Sequence, residues 1–210
     1  MHEIKRIKCG NGNCYIVTSG ESAVLVDTCR KQFRERILSE CGMLNIRLIV
    51  LTHGHLDHVQ NAAWLSHRLN APVAMSRADM ALLSDNLAQM LHARTLPGKI
   101  VLAASVNALR YTKIQEFSPQ VWLDEGDSLE RYGIPAKVIG LPGHTDGSIA
   151  LDVEQSDLIV GDALMNMFYP TVSMLYHDEA QMLRSAERIS ALGERTIFFG
   201  HGKPVANRKW

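Results

Sequence analysis

The chain has 210 residues, of which 46% are hydrophobic and 21% are charged, as in an ordinary globular domain. Lys plus Arg and Asp plus Glu both number 22, so the net charge is zero and argues against a nucleic-acid partner. No apolar run is long enough to span a membrane, and residues 1–6 lack the apolar core of a secretory signal. We therefore expect a cytoplasmic location, with a small-molecule substrate and neither nucleic acid nor membrane as partner.

The first part of the chain alternates short strands with helices. Runs of hydrophobic residues, punctuated by glycine and asparagine, predict strands at residues 3–8, 13–18, 23–27, 46–51 and 72–75. Apolar residues at helical spacing predict helices at residues 31–41 and 58–69. Polar turns between a strand and the next helix are the usual place for functional residues in such α/β chains.

Three histidines and one carboxylate fall within six residues directly after the strand at 46–51. Neutral imidazole and carboxylate are ligands for zinc, iron or manganese. His53 and His55 are two apart, so an extended backbone points them to the same side. Asp57 and His58 are adjacent and cannot both reach the ion that His53 and His55 share. This spacing favours two neighbouring metal ions over one; the alternative is a histidine-rich surface loop that binds no metal.

Asp27 and Thr28 end the strand at 23–27. A carboxylate at this position has two possible roles, which the sequence leaves open. It could orient a metal-bound histidine by accepting a hydrogen bond from the ring. It could instead cap the helix at 31–41.

Residues 77–118 carry the weakest pattern. A helical stripe runs from Asp79 to Leu91, Pro97-Gly98 interrupts it, and a second apolar stretch runs from Ile100 to Leu109. We expect a helical insertion of one or two helices over the site. In one interpretation it is a lid that lines a substrate pocket with Met80, Met90 and Phe117. In the simpler interpretation, which we favour, these residues only pack the insertion onto the core, because methionine is a general gap filler.

Strands return in the last third of the chain. The pattern predicts strands at residues 121–124, 128–131, 136–141, 149–153, 157–161 and 196–199, with a helix at residues 178–192. Three of the strands end in a glycine-flanked polar residue, namely His144, Asp162 or His201. Glycine beside a ligand lets the backbone come close to a metal. Together with the cluster at 53–58, these residues form one candidate metal site.

The four cysteines, Cys9, Cys14, Cys29 and Cys41, lie in the first fifth of the chain. None forms a CxxC pair, so their spacing fits no zinc-ribbon pattern. We expect free, buried structural thiols in a reducing compartment.

These elements resemble the metallo-β-lactamase superfamily over nearly the whole chain. The matching stretches are His53–His58, Pro142-Gly143-His144-Thr145, Gly161-Asp162, Gly200-His201-Gly202, Asn13-Cys14-Tyr15 and Val26-Asp27-Thr28, although Cys29 stands where glycine is usual. The resemblance implies an α/β fold, an αββα sandwich of two mixed sheets flanked by helices, with residues 1–210 as a single domain. It also implies ligands for two metal ions: His53, His55 and His144 for one, Asp57, His58 and His201 for the other, and Asp162 bridging both.

Departures from particular branches narrow the expected chemistry. The carboxylate at Asp162 is unlike true β-lactamases, which have cysteine or serine there. Gly54 lacks the acid of flavodiiron proteins, and Met165 replaces the tyrosine of quorum-quenching lactonases. Glyoxalase II enzymes share the ligand set but carry a C-terminal helical domain for glutathione, which this sequence lacks.

The resemblance therefore implies a binuclear metal-dependent hydrolase acting on a small ester, thioester or lactone. Two divalent ions, zinc in preference to iron or manganese, would activate a bridging hydroxide as nucleophile. Asp57 would be both ligand and catalytic proton shuttle. Two alternatives stay open: an iron-dependent redox protein of the same fold, and a phosphodiesterase.

Overall fold

The computed structural model describes residues 1–210, the side chain of Ala108 excepted, as two β-sheets packed face to face between helices. The strands are β1 (His2–Cys9), β2 (Gly12–Ser19), β3 (Ser22–Val26), β4 (Asn45–Val50), β5 (Val73–Met75), β6 (Val121–Trp122), β7 (Ala136–Gly140), β8 (Ile149–Val153), β9 (Asp157–Gly161), β10 (Leu164–Met165), β11 (Thr171–Val172), β12 (Thr196–Phe199) and β13 (Val205–Ala206). The helices are α1 (Arg34–Cys41), α2 (Leu56–Val59), α3 (Ala62–Leu69), α4 (Met80–Ser84), α5 (Leu96–Tyr111) and α6 (Glu179–Ala191). None of the helices in the described residues is long and apolar enough to cross a membrane.

Both large sheets are mixed. The first has the order β1-β2-β3-β4-β5-β6; its first three strands are antiparallel, and β3 to β6 run parallel. The second has the order β13-β12-β9-β8-β7; β12 runs parallel to β9, and the other neighbours are antiparallel. Strands β10 and β11 form a separate hairpin.

The alternation of side chains along each strand explains the layers. In β3, Val24 and Val26 enter the core between the two sheets, whereas Ala23 and Leu25 enter the core shared with α1 and α3. A third core lies between the second sheet and α6, where Ile189 is buried. The chain is therefore an αββα sandwich, which confirms the predicted fold class.

Two predicted elements are wrong. Residues 128–131 do not form a strand, because Glu130–Tyr132 make a 3-10 turn that closes on Gly133 in a left-handed conformation. The helical stripe from Asp79 ends at Ser84. Asp85 is extended there, and its carboxylate accepts the N–H of Leu87, so the chain turns instead of continuing the helix.

Candidate metal centre

All seven candidate ligands meet at one edge of the sandwich. Each follows the end of a strand: the cluster at residues 53–58 follows β4, His144 follows β7, Asp162 follows β9 and His201 follows β12. The two sheets touch at this edge through a backbone hydrogen bond of 2.9 Å from the N–H of Ile149 to the carbonyl oxygen of Thr52. The site is thus formed where both sheets converge.

His53, His55 and His144 form a group that we call the three-histidine group. One ring nitrogen of each lies within 4.8 Å of the others, and all three rings are buried. Nδ1 of His55 lies 2.9 Å from Nε2 of His144. Burial lowers the pKa of His53 well below its ordinary value, and it lowers the pKa of His55 to about 3. These imidazoles are therefore neutral at pH 7, which is the state that binds metal.

Asp57, His58 and His201 form the second group, here called the mixed group. Their ligand atoms also lie within 4.8 Å of one another, with Oδ2 of Asp57 3.5 Å from Nε2 of His201. Burial alone would lower the pKa of His58, but the surrounding carboxylates, Asp27 foremost and then Asp162, together outweigh it and raise the pKa to about 10. Nearby carboxylates, Asp162 foremost, likewise overcome burial and raise the pKa of His201 to about 9. Without metal, these two rings carry protons at pH 7.

Asp162 lies between the two groups. Its carboxylate oxygens are 3.8 Å from Nε2 of His144, 3.6 Å from Nε2 of His58 and 3.3 Å from Nε2 of His201. Gly200 makes this approach possible, because a Cβ at that position would lie 2.2 Å from an Asp162 oxygen. One carboxylate thus reaches histidines of both groups, as a bridging ligand must.

The centre contains buried polar atoms without hydrogen-bond partners among the described residues. They are Nε2 of His53, Nε2 of His55, Nε2 of His58 and Oδ1 of Asp162. A buried polar atom left without a partner costs about 1–3 kcal/mol. Three of these atoms belong to residues that converge within 4.8 Å, the group His53, His58 and Asp162. Imidazole and carboxylate are ligands suited to divalent metal ions, so the donor set fits a metal centre.

The opening hairpin β1–β2 holds the last ligand in place. Nδ1 of His201 lies 3.0 Å from the carbonyl oxygen of Asn11. The side chain of Asn13 donates to the carbonyls of Phe199 and Gly202, and its N–H donates to the carbonyl of Gly200. His201 is therefore fixed by contacts with residues about 190 positions earlier in the chain.

Asp27 orients the mixed group, which decides between its two predicted roles. Its carboxylate lies 2.8 Å from Nδ1 of His58 and accepts hydrogen bonds from the N–H and the hydroxyl of Thr52. The 3-10 turn that leads into α1 begins at Lys31, and its N-cap, Arg30, makes no side-chain cap. Asp27 therefore supports a candidate ligand, and the helix-cap interpretation is wrong.

Asp79 is a functional residue that the sequence interpretation missed. It is fully buried, and its carboxylate accepts the N–H groups of Gly54 and Gly147 and the hydroxyl of Thr145. Gly54 lies between His53 and His55, and Thr145 follows His144. Asp79 thus ties together the two turns that carry the three-histidine group, at a close approach: a Cβ on Gly147 would lie 2.7 Å from its carboxylate.

A cavity of about 530 Å³ opens onto the centre. Its walls include Leu91, five residues of α5 and the sulfur-bearing Met165 and Met167. The α5 residues are Ile100, Val101, Ala104, Ser105 and Leu109. Arg30 and Gln32 add polar groups. Met80 and Met90 are exposed and do not line this cavity, and Phe117 lies at a different cavity, so the suggested Met and Phe lining is wrong.

A family model described as the metallo-beta-lactamase superfamily matches residues 7–201. The chain therefore belongs to the metallo-β-lactamase superfamily, and the ligand geometry, the αββα sandwich and this match agree. Members of the superfamily are typically metal-dependent hydrolases, and this is the enzyme class of the chain.

Similar proteins come from several bacteria. An uncharacterised protein of Mycobacterium tuberculosis is 28% identical over 203 residues, covering 90% of this chain and 85% of its own. The hydroxyacylglutathione hydrolase GloC of Haemophilus influenzae is 28% identical over 167 residues, covering 77% and 71%. The crystal structure of TTHA1623 in a di-iron-bound form superposes with a TM-score of 0.71 at 25% identity, covering 97% of this chain and 94% of the other.

Proposed function

We propose that the protein is a binuclear hydrolase of a small ester or thioester with an apolar acyl group. The observation that carries the proposal is the position of Asp57. Its side chain is 27% exposed and lines the cavity beside the mixed group. A carboxylate that is both within reach of the ligands and open to the cavity can exchange a proton with a bound molecule.

We assign the seven residues as ligands of two divalent ions, preferably zinc, with His53, His55 and His144 on one side and Asp57, His58 and His201 on the other. Asp162 is the bridge, because it reaches both groups. When bound, such ions acidify a shared water and polarise a scissile carbonyl.

Asp57 is the catalytic carboxylate. Burial alone would raise its pKa, but the charges of His58 and His201 lower it below the ordinary value, so the group is ionised at neutral pH. Oδ2 of Asp57 can accept the proton of the attacking water and deliver it to the leaving oxygen or sulfur.

The cavity walls favour an apolar acyl group. Ile100, Val101 and Leu109 of α5 line the cavity together with Met165, and Arg30 is the one Lys or Arg side chain in the lining. Thioesters also fit the relative named hydroxyacylglutathione hydrolase, because an acylated glutathione is a thioester. Lactones share the same chemistry and stay within the proposal.

The test combines metal analysis with a substrate panel. Protein saturated with zinc should contain two ions per chain and should hydrolyse esters or thioesters with apolar acyl groups. Cleavage of phosphodiesters alone would contradict the proposed substrate class. Saturation with a single ion would contradict the binuclear assignment, and a protein that is active only as an iron redox catalyst would contradict hydrolysis itself.

A variant pair tests the cavity wall separately. Val101→Asp places a charge in the wall and should raise KM for apolar acyl substrates by about tenfold or more, because a pocket discriminates by roughly that factor even for a single methylene. Tyr111→Asp is the matched control, since Tyr111 lies on the same helix but is exposed and outside the cavity lining. Equal effects of the two changes would show that α5 does not bind the acyl group.

A further inference from the structure

Three of the four cysteines converge beside the candidate metal centre, although their spacing in the sequence fits no metal-binding pattern. The sulfur atoms of Cys9, Cys14 and Cys29 all lie within 4.8 Å of one another, and each residue is buried. We call these residues the thiol cluster. Cys41, the fourth cysteine, is also buried and free but lies at the end of α1, outside the cluster. Spacing in the sequence predicts no such group, because strand pairing creates it.

The register of the β1–β2 hairpin brings the first two thiols together. Cys9 pairs with Gly12 and Ile7 pairs with Cys14, so Cys9 and Cys14 are diagonal neighbours on the same face of the sheet. Diagonal neighbours have Cα atoms about 7–8 Å apart, beyond the reach of a disulfide. The hairpin therefore holds these two sulfurs close enough for a shared ion but poorly placed for a direct bond.

Cys29 completes the cluster from an unusual backbone conformation. Its φ is 53°, in the left-handed region that is unfavourable for residues other than glycine. The side chain of Asn61 donates to the carbonyl oxygens of Thr28, Cys29 and Arg30 and so holds this turn. A glycine would adopt the same turn without strain but would contribute no sulfur.

The cluster stabilises negative charge on one sulfur. The neighbouring thiols of Cys14 and Cys29 lower the pKa of Cys9. Burial raises the pKa of Cys14 well above its ordinary value. Three sulfurs that converge in this way are an environment suited to a soft cation.

A route for an ion exists through the cavity of the metal centre. Cys9 and Cys29 both line that cavity, together with ligands such as His201. Gly12 lies next to both sites: a Cβ placed there would be 3.9 Å from the sulfur of Cys29 and 3.9 Å from Cε1 of His201. An ion that reaches the histidines can therefore also reach the cluster.

We propose that Cys9, Cys14 and Cys29 bind a soft, thiophilic cation of the Cu(I) type, at a site separate from the histidine and carboxylate centre. Thiolate sulfur selects soft ions, whereas imidazole and carboxylate suit zinc, iron and manganese. Among the described residues, no fourth His, Cys, Asp or Glu joins the group. Structural zinc sites almost always have four protein ligands, so a three-sulfur set favours Cu(I) over zinc. Binding displaces protons from the coordinating thiols into solvent and leaves the oxidation states of copper and sulfur unchanged.

The test is an anaerobic Cu(I) titration of the zinc-loaded, reduced protein against a chromogenic Cu(I) chelator. We expect uptake of one Cu(I) per chain without loss of zinc, and X-ray absorption should show sulfur neighbours around copper. Absence of uptake, or copper surrounded by nitrogen and oxygen, would overturn the proposal. A disulfide involving Cys29 in protein purified without oxygen, detected as the loss of two hydrogens by intact-mass measurement, would overturn it as well.

Two single variants identify the site. Cys29→Gly removes one sulfur while relieving the left-handed backbone, so it should fold at least as well as the parent chain and lose the Cu(I) equivalent. Cys41→Ser is the matched control, because it removes a buried thiol outside the cluster and should keep full uptake. If both variants retain Cu(I), or if Cys41→Ser loses as much as Cys29→Gly, the cluster is not the binding site.

Discussion

The two groups of candidate ligands lie side by side but differ in charge and exposure. The three-histidine group consists of neutral, buried rings, and the Asp79 carboxylate accepts hydrogen bonds from the turns that carry them. The mixed group contains a partly exposed carboxylate, and its histidines are protonated without metal because carboxylates surround them. From this difference we predict that the three-histidine group binds its ion tightly, whereas the mixed group takes part in proton transfer.

The largest expected effect tests that division at Asp57. Asp57→Asn keeps an oxygen donor but cannot accept or deliver a proton, so kcat should fall by about 10²–10⁴-fold while metal content and melting temperature change little. The loss should be smaller for an activated ester, whose leaving group needs less protonation. Steady-state kinetics with metal analysis provide the measurement.

The alternative to a catalytic role for Asp57 is a purely structural role. If the carboxylate only stabilised the first turn of α2, where it lies, the variant would lose at most about 1 kcal/mol, because asparagine also stabilises such positions. In that case kcat would stay at the wild-type value, and a catalytic role would be excluded.

The second-largest expected effect is on the pH dependence of metal binding, which should differ between the two groups. At pH 7 an ion entering the mixed group must displace protons from His58 and His201, whose pKa values are raised to about 10 and about 9. Its affinity should therefore rise by up to about tenfold per pH unit for each proton displaced, between pH 6 and pH 8. His55, with its pKa lowered to about 3, needs no such displacement.

Calorimetric titration in buffers of different ionisation enthalpy measures the protons released at each step. We expect the tighter ion to release few protons and the second ion to release one or more. Equal proton release for both ions would contradict the assignment of protonation states to the two groups.

The smallest expected effects come from the supporting carboxylates. Asp27→Asn should weaken binding at the mixed group by about 10–100-fold, since partners of a ligating histidine have effects of that size. Asp79→Asn should instead weaken the three-histidine group. It should also lower the free energy of unfolding by about 1–3 kcal/mol, because an amide nitrogen would face the N–H and hydroxyl donors that now bind the carboxylate.

These two variants are controls for each other. Metal content at limiting zinc, with thermal unfolding of the metal-free forms, distinguishes them. If both variants lose the same ion, Asp27 and Asp79 do not support different ligand groups. That result would contradict the distinction drawn between the two groups.

The fold and the convergence of the seven candidate ligands could be predicted from the sequence for a physical reason. The motif around His53 and the glycine-flanked His144, Asp162 and His201 are local patterns at strand ends, and strand ends meet at one edge of a sheet. The role of Asp27 was one of two predicted alternatives, which only its contact with His58 could decide.

What the sequence could not supply depends on contacts between distant segments. Asp79 lies in the region without a motif, and its partner Thr145 is 66 residues away. The thiol cluster depends on the register between β1 and β2. The strand predicted at 128–131 was wrong because the alternating pattern there is short. The local structure is instead the 3-10 turn that ends at Gly133.

The contact between the opening hairpin and His201 has a consequence for how the enzyme matures. A growing chain has all three histidines of the first group once residue 144 has been made. The mixed group stays open until His201 emerges and docks against Asn11 and Asn13. If two ions bind as proposed, a nascent chain made at about 5–20 residues per second has the first three ligands several seconds before the last one. The second ion would then be bound only after synthesis has passed His201 and the opening hairpin has docked against it.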